Sequence, residues 1–597
     1  MLKFISRAAL ACALAATSTA ALATVGAVEP APTAMDEAPI VQKDLSSLAG
    51  FYLAARQAGI SKDLSAAAGF YASALRQDPE NAELLDRSVL LNIASGNIAK
   101  AAELAGPLLA IEPDDQLALL AASIAEFRAG KTDEALKHMR ALRDIGGPLQ
   151  ELVGTLLEAW TIAGEQRPAE AIKLLDDLDG PLWVDPFKKI HAGLIADQFG
   201  LYQISEDRLR LAYEQDPTDV RLVEAYARTL ARAGKTDRAS RVLDELNKRV
   251  PTIAKLLEPA RVAIASGEVE SQAPSARAGL AEALYTLGRG IGSNDATLSA
   301  SLLQLSLYLM PEADFPAMAL GNILEGMRQH EAAIEVYRTV PQNAPLYREA
   351  QVQEALNLNV LERHEEAIAA LEALMAEDPS DVQVAVALGN VHRQLEDFEK
   401  AAAVYGASID DFGTVPEDYW TLYYYRGIAN ERTDNWEAAE SDFRAALELS
   451  PEHPLVLNYL GYSYIDRGEN LDEAVDMVQR AVEQRPEDGY IVDSLGWAYY
   501  RLGRYEDAVE QLERAASLRA GDPVINDHLG DAYWKVGRKL EAMFQWAHAR
   551  DSDPEADELK KILAKLEGGL DAVEQIPVKK TAEAEETGAE PKPATAQ

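Results

Sequence analysis

Between residues 48 and 555 the chain repeats one hydrophobic pattern many times. Leu460 and Tyr464, then Val475 and Val478, are apolar positions three or four residues apart. One period later Leu495 and Tyr499, then Val509 and Leu512, repeat them. That spacing gathers apolar side chains on one face of an α-helix, so each period predicts two amphipathic helices. A glycine lies between the two stretches, at Gly468, Gly503 and Gly537, where the backbone turns with positive φ. Small residues recur inside the helices, at Gly461, Gly496 and Gly530, at Ala474, Ala508 and Ala542, and at Ala481, Ala515 and Ala549. Their size lets two helices approach closely.

Prolines punctuate the pattern, since they cannot continue a helix and are tolerated in the first turn of the next. Pro79 and Pro113 are 34 residues apart, as are Pro217 and Pro251. Pro311, Pro345 and Pro379 keep the step; Pro451 and Pro486 are 35 apart, and Pro554 lies two steps of 34 further on. Gly321, Ala333, Tyr337 and Pro345 fall at the phases of Ala355, Ala367, Leu371 and Pro379. A period of this length marks a helix-turn-helix array. Such a chain presents one long surface and leaves little room for a catalytic domain.

Residue classes and spacing together resemble the tetratricopeptide repeat. The resemblance implies an all-α fold, a right-handed superhelical solenoid of about fifteen helix pairs closed by a C-terminal capping helix. The copy at 254–279 is short, with Gln272-Ala273-Pro274-Ser275 as a loop, and the copy at 280–313 lacks the usual small residue at its helix crossing. Extra residues sit at Thr414 to Tyr419 and near Asn470. These breaks are expected bends or neutral loop drift. The expected segments are a signal peptide at 1–27, a flexible linker at 28–47, arrays at 48–279, 280–415 and 416–556, a capping helix at 557–570 and a disordered tail at 571–597. The capping helix rests on Leu559, Ile562, Leu563 and Leu566, which suit a helix covering the last apolar edge.

The N-terminus changes the picture of where such an array works. Lys3 and Arg7 precede an alanine-rich apolar run to Ala23, the form of a secretory signal cleaved after Ala23 or Ala27. The expected location is therefore the periplasm. Cys12, the only cysteine, lies inside that run, so the mature chain would carry no disulfide or thiol chemistry. Ala9 stands where a lipoprotein signal usually has leucine, which disfavours an outer-membrane lipoprotein. The formal charge of −40 opposes nucleic acid and anionic lipid headgroups. It suits basic partners or, more plainly, keeps a long array soluble.

No catalytic constellation is evident. The eight histidines are scattered without metal-ligand spacing. Gly130-Lys131-Thr132 and Gly234-Lys235-Thr236 imitate a phosphate loop, but Ala125 and Thr229 replace its earlier glycine and both fragments fall at repeat turns. No enzyme activity, cofactor or metal is expected.

By resemblance, the first helix of each pair lines the concave face. The lining phases there select Tyr424, Asn458, Tyr462, Trp497, Tyr500, Asp531 and Trp534 as candidate partner-binding residues, the five aromatic ones as anchors for a protein or peptide. Asp493 and Asp527 occupy phases where a clamp for a peptide carboxylate needs positive charge, so that mode is disfavoured. The segments Leu457–Tyr462, Asp493–Tyr500 and His528–Trp534 resemble the C-terminal copies of large bacterial envelope tetratricopeptide proteins, including adaptors of carboxyl-terminal processing proteases. That likeness implies a periplasmic scaffold or adaptor whose partners are an envelope protease or its substrates. The alternatives are an assembly scaffold for envelope biogenesis or polysaccharide export and, in another class, an enzyme.

Overall fold

The computed structural model describes residues 47–60 and 64–575. The expected signal peptide at 1–27, nearly all of the linker at 28–47 and most of the tail at 571–597 lie outside them. The described residues form fourteen helix pairs, one unpaired helix at Ala254–Ser266 and a terminal helix at Ala556–Gly568. No strand occurs among them. The chain divides into two compact units, one ending at Glu377 and one beginning at Asp378.

The local chemistry repeats with the period. Asn81, Asp115, Asp219, Asp381, Asp488 and Asp522 cap the first helix of their pairs, each side chain accepting from a backbone N–H two or three residues on. The turn between paired helices adopts positive φ at Gly130, Gly234, Gly503 and Gly537. Gln166, Arg328, Glu362, Glu396 and Asp434 take that conformation in copies without the glycine. The small residue of the first helix is a steric requirement. A Cβ on Gly389 would lie 2.2 Å from Tyr405, on Gly496 2.6 Å from Leu512, and on Gly530 2.4 Å from Trp546. The copy expected to lack this residue has it at Gly288, where a Cβ would come within 2.9 Å of Leu303.

In the unit ending at Glu377 the array doubles back. After Ala254–Ser266 and an irregular stretch, helices Ala276–Ile291 and Ala296–Leu309 form a pair. This pair also packs against the first helices of earlier pairs, Ala82–Ala94, Gln116–Arg128, Pro148–Gly164 and Asp185–Gln198. The expected boundary between residues 279 and 280 falls inside helix Ala276–Ile291, which packs with the helices before it. The reason is the composition of the pair. Ala296–Leu309 carries no charged residue and is buried through Ser299, Ala300, Ser301, Leu302, Leu303, Leu305, Ser306 and Leu309. A helix whose only polar side chains are hydroxyl-bearing ones and one glutamine has no charged face to give to water. Its hydroxyls are satisfied internally, Ser299 Oγ donating to Gly288 O and Ser306 Oγ to Ala281 O, both at 2.8 Å.

The contact is specific as well as apolar. Trp160 is fully buried and lies where any Cβ on Gly279 would be, 2.1 Å away. Trp160 Nε1 donates to His191 Nδ1 at 3.1 Å, so the ring proton sits on His191 Nε2, 3.1 Å from Thr286 Oγ1. Burial pushes His191 down to about 3, and the imidazole is neutral. Arg221 donates to Glu282 at 2.7 Å, and Arg289 pairs with Asp219. Arg128 donates to Tyr308 O at 2.9 Å and lies over the Tyr308 ring.

Candidate functional site

In the unit beginning at Asp378, helices Val382–Gln394, Trp420–Arg432, Pro454–Arg467, Gly489–Arg501 and Pro523–Lys535 are the first members of successive pairs. Each packs on its own partner and on its neighbours in the series. Residues four apart on these helices share a face. Asn458, Tyr462 and Asp466 form one such column and Asp493, Trp497, Tyr500 and Arg501 the next. A third, Asp527, Asp531 and Trp534, follows.

The structure sorts the sequence candidates into three groups. Tyr424 belongs to an aromatic cluster with Trp420, Tyr425, Phe443 and Tyr459, ring centroids 5.3–6.2 Å apart. Burial raises its phenol well above the usual value. It is a packing residue.

Asp531 and Trp534 are engaged within the chain itself. Asp531 is 5 % exposed. It accepts from Trp546 Nε1 at 2.9 Å and from Lys565 Nζ of the terminal helix at 2.8 Å. Lys565 also donates to Asp527 at 2.6 Å. Burial opposes the ammonium charge, but Asp531 and Asp527 together hold Lys565 protonated and raise it. Trp534 is flanked by Trp546, by the ammonium of Lys539 at 4.6 Å and by Gly569, whose added Cβ would be 2.2 Å away. The third column therefore seats the terminal helix.

Asn458, Tyr462, Trp497 and Tyr500 remain. Trp497 stacks on Tyr500 with centroids 4.7 Å apart and planes 8° apart, and on His528 at 4.0 Å and 14°. His528 Nδ1 lies 3.0 Å from Asp493. Burial disfavours its charged form, yet the carboxylate of Asp493 outweighs it and His528 titrates above its ordinary value. Tyr462 is pushed up to about 12, first by burial and then by Asp466 and Asp493. Glu558 of the terminal helix adds to that field. Burial, then Asp531, raises Tyr500 further. Asn458 Oδ1 and Asp527 Oδ1 are shielded from solvent and accept no hydrogen bond among the described residues.

Sequence reasoning missed His528, Lys565 and Glu558. His528 occupies no lining phase, and the other two lie beyond the last repeat. The phosphate-loop imitations are turns: Gly130 and Gly234 have positive φ, and Lys235 pairs with Glu206. Among the described residues, no group of three or more histidine, cysteine, aspartate or glutamate side chains is arranged to hold a metal. None of the described helices is long and apolar enough to cross a membrane.

The family model "Tetratricopeptide repeat" matches residues 89–148, 318–382, 386–454, 432–489, 460–523 and 494–557. The chain belongs to the tetratricopeptide repeat family, whose arrays are protein-interaction scaffolds and generally not catalysts. No curated protein sequence matches it. Similar solved structures include a tetratricopeptide repeat protein from Parabacteroides merdae, 16 % identical, covering 43 % of this chain and 97 % of that one, TM-score 0.34. The Cut9–Hcn1 assembly of the APC/C is 14 % identical over 88 % of this chain and 97 % of that one, TM-score 0.37. Yeast Tom70 is 13 % identical over 87 % and 95 %, TM-score 0.32.

Proposed function

We propose that this chain is an exported, periplasmic scaffold that holds a protein partner on the first-helix face of the unit beginning at Asp378. In this reading it acts as an adaptor in envelope protein quality control or proteolysis, and its partner is an envelope protease or that protease's substrate. One observation carries the binding part. The columns headed by Asn458 and Asp493 present Tyr462, Trp497 and Tyr500, half-buried, on a first-helix face across which no helix pair of the same chain folds back, whereas helices 276–309 cover the corresponding face in the other unit. Clustered aromatic side chains on such a face are the usual anchors of a protein interface. Export rests on the basic start and the alanine-rich run that follows it. The adaptor role rests on the resemblance of residues 457–534 to envelope proteins of that kind.

Crosslinking capture with wild type and a Trp497→Ala/Tyr500→Ala variant tests the face. The variant should lose specific partners while keeping its helical circular dichroism. Equal recovery of every partner sinks the reading. Fractionation should place the protein in the periplasm without palmitate label. Label that depends on Cys12 overturns the soluble form.

A further inference from the structure

The uncovered face also has a definite chemistry. Around Tyr462 and Tyr500 stand the carboxylates of Asp466, Asp493, Asp527, Asp531 and Glu558. The permanent cations among them are Arg501, 3.6 Å from Asp466, and Lys565, already shared by Asp527 and Asp531. His528 lies 3.0 Å from Asp493 and Lys561 acts on Glu558, so the excess of negative charge is smaller than five carboxylates imply, and Asp466, 67 % exposed, is its most accessible member. Two further features point to a donor. Asn458 Oδ1 is an acceptor out of solvent with no hydrogen bond. It shares a helix face with Tyr462 and Asp466, four and eight residues on. Among the described residues, no aromatic ring stacks on Tyr462, a half-buried, electron-rich ring beside the acids.

Acceptors without donors, excess carboxylate and an aromatic face are together complementary to one side chain. Arginine is donor-only, always charged and planar, so it can lie on an aromatic ring while its edge donates to carboxylate and amide oxygens. We propose that the Asn458–Tyr462–Asp466 column, facing Asp493, takes an arginine side chain of an extended basic segment of the partner. This rests on the scaffold reading above and names the chemistry of its ligand. A strongly acidic chain would draw such a segment in at low salt.

The probe is a fluorescent extended peptide alternating alanine and arginine, added to the full mature chain. Counterpart peptides carry citrulline, lysine or glutamate in place of arginine. Citrulline keeps the shape and removes the charge. The arginine peptide should bind about tenfold more tightly than the citrulline or lysine peptide, and the glutamate peptide should not bind. Asp466→Asn/Glu558→Gln should weaken arginine binding about tenfold, with helicity unchanged because the Asp466 side chain is 67 % exposed. Tyr462→Ala should do the same through the ring. Equal binding of arginine and citrulline peptides overturns the proposal, as does indifference to both variants. Equal binding of the lysine peptide overturns the assignment to arginine. Partner loss in Trp497→Ala/Tyr500→Ala without arginine-peptide binding overturns this inference and leaves the scaffold reading standing.

Discussion

The two units use the same repeat and treat its inner face in opposite ways. In the unit ending at Glu377, first helices between Ala82 and Gln198 turn that face toward helices Ala276–Ile291 and Ala296–Leu309 of the same chain. In the unit beginning at Asp378, the terminal helix seats on the last first helix through Lys565, and the columns of Tyr462 and Trp497 stay half-buried with no helix pair folded over them. The repeat signature dictates how neighbours stack. It says nothing about whether the face they build is free. That is decided by a few residues off the signature, such as Gly279 against Trp160 and Lys565 against Asp531.

Removing the Trp160 side chain should break the covered face most severely. Trp160→Ala deletes a fully buried indole and the donor that orients His191, at a cost of about 3–5 kcal/mol. Hydrogen exchange should quicken across 148–164 and 276–309 and stay unchanged beyond residue 378, because repeat arrays transmit stability mainly between neighbours. Protection lost equally in both units would show that the covered face is no separate device.

Lys565→Met should come next. It leaves Asp531, 5 % exposed, without its ammonium partner, and stranding one member of a buried pair costs about 3 kcal/mol or more. The loss is capped by the docking energy of Ala556–Gly568, because once that helix lifts away water reaches Asp531. Exchange should therefore quicken in 556–568 first and in Pro523–Asp551 less. A variant as protected as wild type would show that Trp546 alone satisfies Asp531.

How far the sequence could be read follows the same division. Helix pairs, turn glycines, small crossing residues and aspartate caps are local or nearest-neighbour features, and one period contains all of them. The doubling back at 276–309 depends on contacts across long stretches of chain, such as Gln304 with Ala94 O at 3.3 Å. Periodicity carries no trace of those. One signal was present: the run Ala296–Leu309 has no charged residue for a face turned to water. Among the site candidates, Trp497 and Tyr500 were selected by phase alone, and the structure stacks their rings on one face. Asp531 and Trp534 share their phases but lie next to a terminal helix whose Lys565 and Gly569 no lining phase predicts.

The smallest effect distinguishes charge from burial on the uncovered face. His528 stacks on Trp497 and faces Asp493 at 3.0 Å, with Asp527 and Asp531 nearby. Burial alone would lower its titration below the ordinary 6.5, while the carboxylates raise it. A raised folded value means that the pair contributes fully below about pH 6.5 and that its contribution fades as pH rises through the folded value. Nuclear magnetic resonance titration should place the His528 midpoint above that of an unstructured histidine. Asp493→Asn should lower it and flatten the pH dependence of stability in the last two pairs. A midpoint that stays high in Asp493→Asn assigns the field to Asp527 and Asp531. A midpoint below the ordinary value in wild type would mean that this face is less negative than its carboxylates imply, and it would weaken the case for a basic partner.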